Sequence, residues 1–460
     1  MLPGVVAGIF FMMSGCASPA EHRSVFALEK ENAARAYAQV GNTTYSAHKL
    51  PVLDENSGVN DYIAYAALNN PQLEAAFNQW KAALEMVPQM RTLPDPRFNY
   101  GYFIQEVETR VGPQRNRAGI SQMFPWFGKL KLQGDASLEN ANAMQEQYEA
   151  ARLKLFDEVT QAYYELYYLG RAVAVTGENV ALLKQFEEIA KSKYESNTAL
   201  YSDVIKAQVE LDKLRDRLST LNDLKHPTVA RLNAALNRPA EAPLPFPARV
   251  VPDTLTAESS QLIEQLKVDN PELKNLDFQA EKEKANIALA KKQYYPDITA
   301  GIDYIETGPA RTPGVDDSGK DAVIANLSIN IPLWWEKYHA GVNEADSRYF
   351  AIQQERLDKT NRLDADLKLA LFKYQDAERK IALYRDALIP KADENLKAVQ
   401  YAFEAGKSDF LSLIDAQRVL LEFQLTYERA IANREQGLSM VQRLIGGGSL
   451  MPGPENRRKP

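Results

Sequence analysis

The chain says everything twice, once per half. Asn70-Pro71-Gln72-Leu73 returns as Asn270-Pro271-Glu272-Leu273, and Leu93-Pro94-Asp95-Pro96 returns as Tyr295-Pro296-Asp297. Phe124-Pro125-Trp126-Phe127-Gly128-Lys129 returns as Ile331-Pro332-Leu333-Trp334-Trp335-Glu336-Lys337. Tyr194-Glu195-Ser196-Asn197, followed by Ala207-Gln208, returns as Phe403-Glu404-Ala405-Gly406, followed by Ala416-Gln417. The separation drifts only from 200 to 209 residues across these landmarks. That period is far too long for a solenoid repeat, so the order implies one unit duplicated and fused. Repeat 1 covers 59–237 and repeat 2 covers 259–445. A linker at 238–258 carries Pro239, Pro243, Pro245, Pro247 and Pro252.

Within each repeat the hydrophobic period changes in the same order. A helix is predicted over 59–90, then Pro94 and Pro96 forbid helix. Phe98, Tyr100, Tyr102 and Ile104 alternate with Asn99, Gly101 and Phe103, which predicts a strand with one aromatic face. Charged residues with Gly and Pro at 105–116 predict a loop, and Ala118, Ile120, Gln122 and Phe124 predict a second strand. No proline follows from 130 to 196, where one very long helix is expected, with a shorter one over 202–237. Repeat 2 copies the plan: helix over 260–294, strand from Ile298 to Tyr304, loop over 306–320, strand from Val323 to Ile331, long helix over 338–404 and another over 409–444. Leu367, Ala370, Tyr374, Ala377, Ile381, Tyr384 and Leu388 step by three and four, a heptad seam of the coiled-coil kind. Pro390 is expected to kink this helix rather than end it. At about 1.5 Å per residue such a helix spans roughly 100 Å, more than a globular domain can hold.

Among 460 residues, 25% are charged and the net charge is −7, which points to no nucleic-acid partner. His22, His48, His226 and His339 lie far apart, the chain has one cysteine, and no metal-ligand spacing occurs. No metal site, cofactor or catalytic constellation is called for. Residues 1–15 are almost wholly apolar and end in Met13-Ser14-Gly15-Cys16. They are too short to span a bilayer and read as a signal segment. Small residues before Cys16 resemble a bacterial lipobox, although the n-region has no Lys or Arg and Met13 stands where Leu is usual. The readings are an acylated Cys16 at the mature N-terminus or a buried free thiol. Ala17-Ser18 lack the Asp that retains such lipoproteins at the inner membrane. Residues 16–58 then form an extended arm, and 446–460 a disordered tail. No other segment reaches about 18 apolar residues, so any membrane crossing must use strands.

Each repeat supplies two strands, and four cannot close a barrel, while open edges are not tolerated in lipid. Three copies would supply twelve. The doubled Asn-Pro-x-Leu helix starts, Pro-Asp strand starts, Phe-Pro-Trp-Phe-Gly and Ile-Pro-Leu-Trp-Trp strand ends and paired helix reversals together resemble the TolC-type outer-membrane efflux family, over about residues 60 to 445. The resemblance implies an α+β membrane protein: very long coiled-coil helices forming an α-barrel, and four strands per chain completing a trimeric 12-stranded β-barrel. It further implies a homotrimer in the outer membrane of a Gram-negative bacterium, lipid-anchored and extending into the periplasm. The partners implied are a periplasmic adaptor protein and a proton-driven inner-membrane pump, the chain itself being the passive exit duct.

The resemblance also carries site expectations. Asn197, Thr198, Ala199, Gly406, Lys407 and Ser408 form the helix-reversal tips expected to meet the adaptor. Asn197 and Gly406 stand where left-handed backbone is needed. Ser412 and Asp415 match the two acids of the family's pore constriction, of which only Asp415 is retained. Asp203 matches an acidic tether whose usual partners are replaced by Ser408 and Phe403, leaving Lys407 as the substitute. For Asp203, Asp409 and Asp415 the alternative is stabilisation of a helix N-terminus. Trp126, Trp334 and Trp335 suit an interfacial girdle or a packed hinge. A structural coiled-coil lipoprotein, a spacer or adhesin stalk, is the competing function, and the four strands argue against it.

Overall fold

A computed structural model of the chain describes residues 50–248, 250, 255 and 257–447. The signal segment, Cys16, most of the arm and 448–460 of the tail lie outside the described residues. Two compact units emerge, each assembled from both sequence repeats. One holds Asn78–Gln145 and Asn275–Leu357; the other holds 50–77, Glu146–Lys274 and 358–447.

The first unit carries one antiparallel sheet, β1 (Arg97–Thr109), β2 (Gly112–Phe124), β3 (Ile298–Thr307) and β4 (Ala322–Ile329), in the order β1-β2-β3-β4. Phe98 pairs with Ile120, Ile120 with Ile302 and Ile302 with Ala325, so the repeats join side by side through β2 and β3. The expected loop at 105–116 is instead ladder, with Val107 opposite Gln114 and only Arg110-Val111 in the turn. Charge hid it: Arg115 pairs with Glu106 at 3.3 Å, and Arg311 reaches Glu108 at 3.0 Å. Here polar side chains occupy both faces, so the alternation that marks a strand disappears. A bulge between Tyr102 and Val107 further breaks the period.

Ten α-helices are described. α1 (Val59–Asn69) and α2 (Pro71–Arg91) replace the single helix expected over 59–90, and α6 (Ser259–Asp269) and α7 (Pro271–Lys292) replace that over 260–294. Both breaks fall at Asn-Pro. Asn70 leaves the helical region, and its Oδ1 accepts from the amides of Gln72 at 2.9 Å and Leu73 at 3.1 Å. Its Nδ2 donates to the Ala235 carbonyl at 2.9 Å. Asn270 repeats this, accepting from Glu272 and Leu273 and donating to the Leu444 carbonyl at 2.9 Å. Each Asn thus caps the helix it precedes and ties it to the end of the last helix of its own repeat.

The long helix α3 (Lys129–Glu195) is continuous over 67 residues. α4 (Tyr201–Asp223) and α5 (Lys225–Ala235) break the helix expected over 202–237, because Pro227 has no amide to offer the Asp223 carbonyl. In repeat 2, α8 (Trp335–Leu383) passes into α9 (Ile389–Glu404) through a π-helical turn, Tyr384–Leu388. The widened turn absorbs Pro390 without ending the helix. α10 (Phe410–Leu444) closes the repeat. The seam is buried at Leu367, Ala370, Tyr374, Ala377 and Ile381, and only half-buried at Tyr384 and Leu388. Three successive steps of four follow, 384 to 396, and the π turn takes up that drift before Ala392 and Leu396 return to the core.

The helical unit holds a cluster built from Leu183, Phe186, Leu211, Leu396, Leu413 and Leu420, and a second from Leu262, Leu273, Leu367 and Val441. Several of its partly or fully buried polar groups are paired between helices. Tyr167 and Arg171 both donate to Glu428, and Gln161 and Gln436 exchange side-chain-to-carbonyl bonds at 2.8 and 2.9 Å. No helix among the described residues is long and apolar enough to cross a membrane.

Candidate functional site

Pairing fixes which residues share a face of the sheet. One face carries Phe98, Tyr100, Tyr102, Ile120, Ile302, Tyr304, Val323, Leu327 and Ile329, all exposed. Ile104 is 92% exposed and Leu327 75%. The opposite face carries Asn99, Arg117, Ser121, Thr299, Asp303, Asn326 and Ser328. On it Arg117 donates to Asp303 at 2.6 Å, and Asn326 donates to the same carboxylate. Gly119 leaves the room this needs, since a Cβ there would meet Asp303 Oδ1 at 1.9 Å. A contiguous apolar face of this size on an exposed sheet marks an environment other than water. Apolar-out and polar-in alternation is the pattern of a membrane barrel wall.

Where β2 ends and β3 begins, two repeat motifs that look unrelated in sequence meet. Asp297 Oδ1 accepts from the Trp126 amide at 2.8 Å and from Lys129 Nζ at 2.8 Å, and Lys129 also donates to the Tyr295 carbonyl at 3.1 Å. The Lys129 side chain is only 4% exposed. The Trp126 ring stacks on Tyr295 with centroids 5.3 Å apart. Trp126 is therefore a packed hinge, whereas Trp334 and Trp335 are exposed. The doubling of Pro-Asp and Trp-x-x-Lys was the available signal; their sequence distance concealed the contact.

The helix reversals are duplicates in geometry. The Thr198 amide donates to the Lys193 carbonyl and the Asn197 amide to that of Tyr194, at 2.8 and 3.0 Å. The Lys407 amide donates to Ala402 and the Gly406 amide to Phe403, at the same distances. Asn197 has φ 56 and Gly406 φ 74. These are six-to-one closures of the Schellman type, which need one left-handed residue. Ala199 adds a bond to Lys193 at 3.2 Å, and Ser196 and Thr198 hydroxyls cap the same carbonyl. Behind each tip an aromatic pair closes the hairpin: Tyr194 with Tyr201 at 5.3 Å, Phe403 with Phe410 at 5.5 Å. Lys193 sits over the Phe403 ring at 5.4 Å and couples the two tips.

The acids near the tips differ in what holds them. Asp409 caps α10, accepting from the Ser412 amide at 2.8 Å. Hydrogen bonds from Ser412 hold its carboxyl below the usual range. Asp203 pairs within α4 with Lys206 at 3.2 Å, not with Lys407, so its bond is local. Ser412 and Asp415 are both exposed, three residues apart on one helix face. Arg418, one turn on, clasps Glu210 of α4 through two bonds. Lys407 and Ser408 complete the second tip, and no group of three or more His, Cys, Asp or Glu side chains among the described residues could hold a metal ion.

A sheet with an apolar outer face, joined to duplicated long helices, defines an outer-membrane channel fold with α-barrel and β-barrel parts. The chain belongs to the outer membrane efflux protein family, whose profile matches residues 63–238 and again 262–447. It is 21% identical to the probable outer membrane lipoprotein SilC of Salmonella typhimurium, covering 95% of this chain and 97% of that one. It is 19% identical to the cobalt-zinc-cadmium resistance protein CzcC of Cupriavidus metallidurans, covering 84% and 88%. Among solved structures it resembles CusC, studied for conformational changes on folding and transmembrane channel formation, with a TM-score of 0.73, 17% identity, and 89% and 96% covered. The protein's place is the outer membrane of a Gram-negative bacterium.

Proposed function

We propose that three copies of this chain form the exit duct of a tripartite efflux system. The observation that carries the reading is the sheet: an exposed apolar face, a polar opposite face and two edges, β1 and β4, without partner strands among the described residues. In lipid those edges must be paired, and twelve strands enclose a water-filled lumen. The polar face lines it and the apolar face meets acyl chains. The tips at 197–199 and 406–408 contact a periplasmic adaptor, which couples the duct to an inner-membrane pump. Ser412 and Asp415 line the constriction, where one carboxylate per copy favours cations over anions. Cys16 is acylated and anchors the chain, a reading supported by the lipoprotein name of SilC. The chain supplies a passage, and the pump selects the cargo.

The test is single-channel conductance of the detergent-extracted protein in a planar bilayer, with its mass measured alongside. Stable cation-preferring pores from a trimer are expected, and Asp415→Ala lowers the cation preference. A water-soluble species without conductance contradicts the duct and favours a spacer.

A further inference from the structure

The β2–β3 seam joins the end of one repeat's sheet segment to the start of the other's. By the duplication, the end of β4 is equivalent to the end of β2, and the start of β1 to the start of β3. Among the described residues the β4 and β1 edges of one chain do not meet. We propose that, where β4 of one copy meets β1 of a second in the duct described above, the two strands take the register of the β2–β3 seam, and that Lys337 locks this pairing onto Asp95 of that copy. The proposal rests on the multimeric-barrel reading above and adds its register and its lock.

The seam within the chain sets the register. Phe124 pairs with Ile298 and Ile120 with Ile302. Carried across the duplication, Ile331 stands opposite Pro96 of the second copy, Ile329 opposite Phe98, Leu327 opposite Tyr100 and Ala325 opposite Tyr102. Every residue in that set belongs to the exposed apolar face or continues its alternation. A slip of one residue would set Leu327 against Asn99 or Gly101 and break the face.

The residues that would build the lock are exposed, Lys337 Nζ lying 5.7 Å from the ring of its neighbour Tyr338. Lys129 is buried in the existing seam and pairs with Asp297 at 2.8 Å. Their equivalents, Lys337 and Asp95, are exposed, and neither has an ion-pair partner among the described residues. The Lys337 amide donates to the Trp334 carbonyl at 3.0 Å, as the Lys129 amide does to Trp126 at 3.0 Å, so the two turns correspond. Trp126 stacks on Tyr295; the equivalent Trp334 is 74% exposed, and Leu93, equivalent to Tyr295, is 38% exposed. Trp334 therefore covers Leu93 of the second copy. One local difference is that α8 begins at Trp335, so Lys337 lies in the first turn where Lys129 opens α3. Lysine's flexible four-carbon stem spans that difference.

Two measurements on the full-length protein in outer-membrane vesicles test this. Leu327→Cys with Tyr100→Cys, oxidised by copper-phenanthroline, should give disulfide-linked multimers of up to three copies. Leu327→Cys with Asn99→Cys should give far less. Lys337→Glu should speed dissociation of the detergent-resistant trimer on the order of tenfold, and adding Asp95→Lys should restore it. Trimers that link equally in the slipped register, or a charge swap without rescue, overturn the lock and leave the trimeric duct standing. A protein that links only to a different protein, or purifies as a monomer, overturns both.

Discussion

The two units of this chain obey one rule in opposite directions. In the strand-bearing unit the large apolar side chains, Phe98, Tyr100, Ile104 and Leu327, are exposed, while Arg117 and Asp303 pair on the other face. In the helical unit Leu367, Phe410 and Leu413 are buried, and the outside is laced with pairs such as Lys368–Asp364 and Lys397–Asp393. Apolar surface leaves water in both cases. The helical unit removes it by packing helix on helix. Among the described residues nothing covers the apolar face of the sheet, as suits a barrel wall that meets lipid. The contrast says more about function than any single residue, because it spans both units.

The largest test of this contrast lies in the helical unit. Phe410→Ala removes a fully buried ring that meets Phe403, and should cost about 3–5 kcal/mol in urea unfolding followed by helical circular dichroism. A loss within the usual surface range would mean the tip is not packed as described. Next comes the sheet. Leu327→Arg should cost about 2–4 kcal/mol on folding into vesicles if it lies near the bilayer midplane, whereas Ser328→Arg, on the polar face, should stay within about 0.5 kcal/mol. Equal costs at these neighbours would erase the distinction between faces.

Smaller effects separate the duplicated tips. Gly406→Ala places a Cβ at φ 74 and should cost about 1 kcal/mol through left-handed strain alone, since nothing lies within 4 Å of it. Asn197→Gly should be nearly neutral, because Asn already tolerates that backbone. A reversed order would show that the tips are not equivalent. The smallest effect is a pH dependence at α10. The Asp409 carboxyl is held below its ordinary value by Ser412. Its contribution is therefore complete above the unfolded value of about 3.9 and is lost as pH falls through the lower folded value. Hydrogen exchange at the first turn of α10 should rise over that acid window, and Asp409→Asn should flatten the response.

Much of this architecture was legible in the residues. Alternation marked the apolar strand segments because lipid and lumen impose opposite demands on successive side chains. Left-handed Asn197 and Gly406 were legible because few residue types accept that backbone. The charged ends of β1 and β2 next to their turn were not, because Glu108 and Arg115 stand on one face while Thr109 and Gln114 stand on the other. Asn70 and Asn270 were legible as helix starts beside Pro71 and Pro271, yet their carbonyl partners lie more than 160 residues away, a distance no local pattern reports. The Pro227 break was readable in principle, since a proline seven residues past the middle of a helical run removes an amide the run needs. The local pairing of Asp203 with Lys206 could be read as a three-residue spacing, while the family resemblance drew attention to the opposite tip.

The central claim, that one sheet face wears lipid and the other water, is tested most directly along β4. Single cysteines placed in turn from Val323 to Ile329, with Cys16→Ala throughout, can be labelled in vesicles with a membrane-impermeant maleimide. The account predicts a two-residue rhythm: Ile324, Asn326 and Ser328 positions react from the lumen, and Val323, Ala325, Leu327 and Ile329 positions do not. Uniform labelling along the strand would contradict it.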